Sequence, residues 1–314
     1  MKEQPAVSTT YSELRAQLAT LTTEAFRPEL AEIDRLSTLE IARTMNGEDQ
    51  SVPAAVARAL PAIAAAIDAT AERMARGGRL LYLGAGTAGR LGVLDASECP
   101  PTFNTDPSRV VGLIAGGPSA MIQAVEGAED SKELAAADLD ALGVGPDDTV
   151  VGISASGRTP YAIGAVEHAR GLGALTIGLS CNAESALAAA AEHGIEVVAG
   201  PELLTGSTRL KAGTAQKLVL NMISTITMIR LGKTYGNLMV DVRASNEKLR
   251  ARSRRIVALA TGAPDEQIEA ALTAAGGEVK NAILIILADV DAATAAQRLK
   301  DSRGHLRAAL HTAT

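Results

Sequence analysis

The residues best suited to chemistry lie in two short stretches of small and hydroxyl-bearing side chains. In the first, LGAGTAGRLGVLDASECPPTF at 83–103, Gly84, Gly86 and Gly89 follow an apolar run, and an isolated carboxylate, Glu98, comes shortly after. Exposed backbone N–H groups at a helix start attract anions, so this turn reads as a phosphate cradle and Glu98 as a nearby proton carrier. The second stretch, Ser154-Ala155-Ser156-Gly157-Arg158-Thr159-Pro160, sets three hydroxyls around one glycine. Hydroxyls and amides can hold a phosphate monoester without metal or lysine. Thr159 before Pro160 has the form of a helix cap, but capping does not account for Ser154 and Ser156. The two loops together predict a sugar-phosphate pocket whose binding residues are Gly86, Thr87, Gly89, Ser154, Ser156, Gly157 and Thr159.

Several other chemistries are disfavoured. Gly84 to Gly89 satisfies G-x-G-x-x-G, yet the following strand ends Ile114-Ala115-Gly116-Gly117 and offers no acid for a ribose, which argues against a nicotinamide cofactor. No Gly-Lys-Ser/Thr follows to make a Walker loop. His168, His193, His305 and His311 show no clustered metal-ligand spacing and read as structural or exposed, which disfavours a histidine-based mechanism. Cys99 and Cys181 are too few for a disulfide framework, which suits a reducing cytoplasm, and Cys99 reads as a packing residue. With 30 Lys plus Arg against 36 Asp plus Glu, the net charge of -6 gives no general pull toward nucleic acid or membrane. Aromatic content is 2% with no Trp, so stacking platforms are scarce. The basic run Lys248, Arg250, Arg252, Arg254 and Arg255 reads as a solvated helix face or a domain junction rather than a DNA contact, because no helix-turn-helix pattern accompanies it. Arg209 and Lys211 read as helix-surface charge, with contact to substrate or a partner subunit as the alternative, and Asp95 as a group that steers Glu98 or pairs with Arg90.

These loops need a scaffold, and the pattern supplies one. The first 75 or so residues are helical in character, with a capping box at Ser37-Thr38-Leu39-Glu40, a second start at Ser51 and a kink or break at Pro61. Short β-rich runs follow at Leu80 to Leu83, Val110 to Ala115, Thr149 to Ile153, Ala174 to Leu179 and Ile195 to Val198. Their spacing leaves room for crossover helices and predicts an open parallel-sheet αβα sandwich, which binds ligands at the carboxyl ends of its strands. A long helix is expected from near Ser207 to Arg230, and a small helical domain after Ala244, with Ile283 to Leu287 in its core. The predicted organisation is a helical segment at 1–75, an α/β domain at 76–244 and a helical domain at 245–314. MKEQPAVSTT lacks the apolar core of a signal peptide. The longest apolar helix candidate, near 218–229, is interrupted by Asn221, Ser224, Thr225 and Thr227, so no membrane span is expected.

The two loops resemble the sugar isomerase (SIS) domain, a phosphosugar-binding α/β fold. The longer match is narrower: the 83–103 stretch, AVEGAED at 124–130, GISASGRTPYAIGA at 152–165, GSTRLKAGTAQKLVLNM at 206–222, YGNLMVDV at 235–242 and IDRLSTLEIARTMNGED at 33–49 resemble the N-acetylmuramic acid 6-phosphate etherases. That resemblance implies cleavage of a D-lactyl ether by elimination and hydration, giving N-acetylglucosamine 6-phosphate and D-lactate. It further implies a cytoplasmic homodimer of cell-wall sugar recycling, with Glu98 and Glu129 as the catalytic glutamates and no cofactor. Glu98 would protonate the departing lactate and then activate water; Glu129 would remove the α-proton. One departure is Ala88, where the family commonly has serine. A phosphosugar isomerase on the same fold, or a silent sensor resembling the glucokinase regulatory protein, are the alternatives.

Overall fold

The computed structural model describes residues 16, 18–242 and 247–311. Leu80, Leu81, Tyr82 and Leu83 are all fully buried, as a central strand covered on both faces requires. Five strands, β1 (Leu80–Gly84), β2 (Val110–Ile114), β3 (Thr149–Ile153), β4 (Leu175–Ser180) and β5 (His193–Glu196), form one sheet in the order β2-β1-β3-β4-β5. Every neighbouring pair is parallel. The register sets Gly84 beside both Ile114 and Ile153, so the loops after β1, β2 and β3 leave the sheet together.

Helices cover both faces. A core cluster joins the sheet to α2 (Ser51–Ala75), α3 (Gly86–Phe103) and α7 (Lys211–Arg230), with α1 (Thr38–Asp49) leading into α2. On the other face, α4 (Lys132–Ala141) and α5 (Pro160–Gly171) pack through Ala135, Leu139, Tyr161 and Ala165, while the short α6 (Ala186–Ala190) adds Leu187. The predicted αβα sandwich is therefore observed. So is the capping box: Ser37 Oγ accepts from Glu40 N, and Glu40 Oε2 from Ser37 N.

The expected kink or break at Pro61 does not divide α2, which is one element from Ser51 to Ala75. Val52, Val56, Ile63, Ile67 and Met74 are buried on both sides of the proline. At about 1.5–3 kcal/mol per buried side chain, this stripe outweighs the roughly 3 kcal/mol that proline costs inside a helix. By length and composition alone the continuous stretch Thr38–Ala75 could cross a membrane, but that stripe belongs to the core. The long helix starts at Lys211 rather than Ser207, because the Glu202 carboxylate accepts from Lys211 N and Ala212 N, each at 2.9 Å. That is a cap supplied from outside the helix.

After α7 a small antiparallel hairpin, β6 (Thr234–Tyr235) and β7 (Leu238–Met239), precedes α8 (Glu247–Thr261), α9 (Asp265–Ala274), α10 (Val279–Ala288), α11 (Ala292–Asp301) and α12 (Leu306–His311). These elements share a second core containing Val257, Ile268, Ile283, Leu284 and Leu306. Val240 and Val242 belong to that core too, although they precede the expected boundary at 244–245, which lies outside the described residues.

Candidate active site

The shared exit of the first three strands gathers their loops around a cavity of about 590 Å³ at the carboxyl end of the sheet. Gly86, Thr87, Glu129, Ser154, Ser156 and Thr159 line it. Three other predicted site residues, Gly89, Gly157 and Glu98, do not.

In the first loop Gly86 turns the chain into α3 with φ of 53°. Thr87 and Ala88 then face the cavity in the first helical turn, where unpaired N–H groups are available to an anion. Gly89 is a packing residue instead: a Cβ there would lie 2.5 Å from the Gly84 carbonyl oxygen. In the second loop Ser154 Oγ is the hub. It lies 2.8 Å from Thr159 Oγ1 and 3.2 Å from Ser156 Oγ, and accepts from Gly157 N at 3.0 Å. Thr159 occupies the N-cap position of α5 yet makes no side-chain capping bond, so its hydroxyl belongs to the cluster. Gly157 shapes the turn. Its φ is 69°, its amide is engaged by Ser154, and a Cβ would meet Ser185 Cβ at 2.4 Å.

Polar side chains that sequence reasoning did not assign to the site also line the cavity, Gln216 and Glu24 among them, together with Asp130, Arg158 and Thr208. Gln216, only 1% exposed, has an Nε2 without a hydrogen-bond partner among the described residues. A buried orphan donor is costly, and an acceptor on a ligand would satisfy it. In the sequence Gln216 is marked only by lying within GSTRLKAGTAQKLVLNM at 206–222. Glu24, in a 3-10 turn spanning Thr22–Glu24, also lines the cavity.

The two proposed catalytic carboxylates do not meet within one chain. Glu129 sits in a 3-10 turn, Ala128–Asp130, entered through Gly127 at φ 72°, and lines the cavity. Glu98 is exposed on α3, eleven residues beyond Thr87, which at 1.5 Å per residue is about 17 Å along the axis. Nearness in sequence to the cradle becomes distance in space because the intervening residues are helical.

Asp95 neither steers Glu98 nor pairs with Arg90. It is buried, accepting from Tyr82 OH, Asn221 Nδ2 and Ser224 Oγ at 2.9, 2.7 and 3.1 Å, and burial holds its carboxyl above the usual range despite those donors. Arg90 donates to the Ala120 and Met121 carbonyls. Burial pushes the Cys99 thiol up to about 12, in keeping with a packing role. Lys211 is not surface charge: its side chain is 4% exposed and its Nζ lies 2.7 Å from Glu48 Oε2, tying α1 to α7. Arg209 lines a separate apolar recess with Ile41 and Met45. The basic run lies on the exposed side of α8, where Arg254 pairs with Glu269. Among the described residues no three His, Cys, Asp or Glu side chains gather as a metal site.

Comparison with known proteins fits this geometry. The SIS domain family matches residues 122–226, and the glucokinase regulatory protein N-terminal SIS domain matches residues 62–170. An N-acetylmuramic acid 6-phosphate etherase of Streptomyces avermitilis is 82% identical, the match covering 96% of this chain and 96% of that protein. Proteins of the same name from Streptomyces coelicolor and Rubrobacter xylanophilus are 80% and 63% identical, covering 96% and 94% of this chain and 97% of each relative. With such identity over nearly the full length of both partners, and an SIS-type sheet carrying the cradle, the chain belongs to the N-acetylmuramic acid 6-phosphate etherase family.

Proposed function

We propose that this protein is a carbon-oxygen lyase that cleaves the D-lactyl ether of N-acetylmuramic acid 6-phosphate, yielding N-acetylglucosamine 6-phosphate and D-lactate. The observation that carries the proposal is the convergence of Glu129 with the hydroxyls of Thr87, Ser154, Ser156 and Thr159 on one cavity of ligand size. The hydroxyls, the α3 N-terminus and Gln216 hold the phosphate, leaving the sugar chain to extend past Glu129. In the open-chain form the aldehyde acidifies C2, and Glu129 removes that proton. The C3–O bond breaks as an acid protonates the ether oxygen, releasing lactate and an α,β-unsaturated aldehyde. Water adds at C3 and C2 regains its proton, so the net change is the uptake of one water.

Glu98 is the proposed acid, and from its place on α3 it serves only a cavity other than its own. A second copy must present that helix face, so the proposed unit is a homodimer in which each α3 completes the partner's site. Leu94, 50% exposed and one turn before Glu98, provides apolar surface for such a contact. Glu98→Gln and Glu129→Gln chains should each be inactive alone and regain activity after subunit exchange, because one cavity of the mixed dimer then holds both carboxylates. No recovery in verified mixed dimers would remove the shared site. Buried, unpaired cysteines and a phosphorylated substrate suit a cytoplasmic enzyme of cell-wall sugar recycling.

The direct test is to incubate the protein with N-acetylmuramic acid 6-phosphate and measure D-lactate. Release supports the etherase. Binding without release favours a sugar-phosphate sensor, the reading to which the glucokinase regulatory protein match lends support.

A further inference from the structure

Leu18, Leu21 and Glu24, from a segment with little regular structure, line the same cavity as the phosphate cradle. Thr23 is 2% exposed and is clamped by Asn182, whose Oδ1 accepts from Thr23 N at 3.4 Å and whose Nδ2 donates to Thr23 Oγ1 at 3.1 Å. The same Asn182 Nδ2 lies 2.9 Å from the Ala155 carbonyl oxygen in the hydroxyl loop, and Gly206 N donates to the Thr23 carbonyl. The clamp therefore fixes the next residue, Glu24, relative to the cradle. The Glu24 carboxylate rests over Gly206, where φ is 75° and a Cβ would come within 2.7 Å of Glu24 Oε2. Among the described residues that carboxylate has no ion pair or hydrogen-bond partner, and it lines the cavity.

A carboxylate fixed in this way can only accept hydrogen bonds when ionised, and it repels phosphate and lactate carboxylate alike. What remains for it on an amino-sugar phosphate is the neutral chain. We propose that Glu24 is a substrate-positioning residue that accepts hydrogen bonds from the hydroxyl and acetamido N–H groups of the sugar, with Gly206 as its seat. It thereby selects a sugar phosphate over a bare phosphate. The inference rests on the reading of the cavity as a phosphosugar site, but not on turnover.

Calorimetric titration of the full chain with N-acetylglucosamine 6-phosphate and, separately, with inorganic phosphate tests it. Glu24→Gln, isosteric and half-exposed, should weaken the sugar phosphate roughly tenfold, the loss expected for a charge-assisted hydrogen bond, while inorganic phosphate binds as well as before or better. Gly206→Ala, which displaces the carboxylate without removing it, should give the same split. Unchanged sugar-phosphate affinity in Glu24→Gln, or a parallel loss for both ligands, overturns the role. A wild-type chain that binds neither ligand refutes the phosphosugar reading itself and this role with it.

Discussion

Replacing Ser154 with alanine separates the stability of the second loop from its binding function. The Ser154 Oγ makes three contacts, with Ser156, Thr159 and the Gly157 amide, and the residue is 2% exposed. The Gly157 amide also lies 3.2 Å from the Ser154 carbonyl, so it is not orphaned by the change, and the two other hydroxyls border the cavity. The folding cost should therefore be that of net hydrogen bonds without an unsatisfied group, about 1–2 kcal/mol, or a few degrees in Tm. Binding should suffer more. Losing one hydrogen bond to a charged phosphate and the orientation of two neighbouring hydroxyls costs about 1.5–3 kcal/mol, a fall in sugar-phosphate affinity of roughly ten- to a hundredfold. Asp291→Ala serves as the control, because Asp291 Oδ1 caps α11 from the Thr294 amide at 2.7 Å, remote from the cavity. It should cost about 1 kcal/mol of stability with no change in affinity. Thermal melts with calorimetric titration of N-acetylglucosamine 6-phosphate distinguish the two variants. Wild-type affinity in Ser154→Ala, or an equal loss in Asp291→Ala, would refute the reasoning.

Other changes probe other parts of the structure. Gly157→Ala must hold a left-handed φ of 69° and bring a methyl within 2.4 Å of Ser185 Cβ, so denaturation should show a loss of roughly 2–5 kcal/mol; a loss below about 1 kcal/mol contradicts the packing. Ala88→Ser adds a hydroxyl to the cavity-facing first turn of α3 and should tighten phosphate binding by up to about tenfold, whereas weaker binding would mean that position 88 does not face the anion. Burial raises the Asp148 carboxyl, but the Arg79 guanidinium, the Gly145 amide and the Arg79 amide together bring it below its ordinary value. The stability this supplies is present above the unfolded pKa near about 4 and is lost as pH falls through the lower folded pKa. Asp148→Asn should accordingly flatten the decline of Tm below about pH 4, and an unchanged acid slope would exclude this link.

The strands were legible because strands buried on both faces are written as apolar runs, and Leu80 to Leu83 could hardly be placed elsewhere. The hydroxyl loops were legible because Ser154, Ser156 and Thr159 exceed what a turn needs. Less could be read of which glycine serves a ligand and which serves packing: Gly86 opens onto the cavity, while Gly89 and Gly157 make room for Gly84 and Ser185. That distinction depends on backbone atoms brought close by the fold. Glu98 was identified by its motif, but helical rise carries it away from the loop it follows. Glu24 left no pattern at all, since Asn182 and Gly206, far along the chain, hold its segment in place. Pro61 shows the converse, a strong local breaker overridden by the burial on either side of it.

Elimination breaks the bond between sugar C3 and the ether oxygen, so the lactate keeps that oxygen. Turnover of N-acetylmuramic acid 6-phosphate in ¹⁸O-enriched water, followed by mass spectrometry of the released D-lactate, reads the cleaved bond directly. Unlabelled lactate is the predicted product. Lactate carrying ¹⁸O in its hydroxyl, or no lactate from a protein that binds the sugar phosphate, would contradict the proposed lyase reaction.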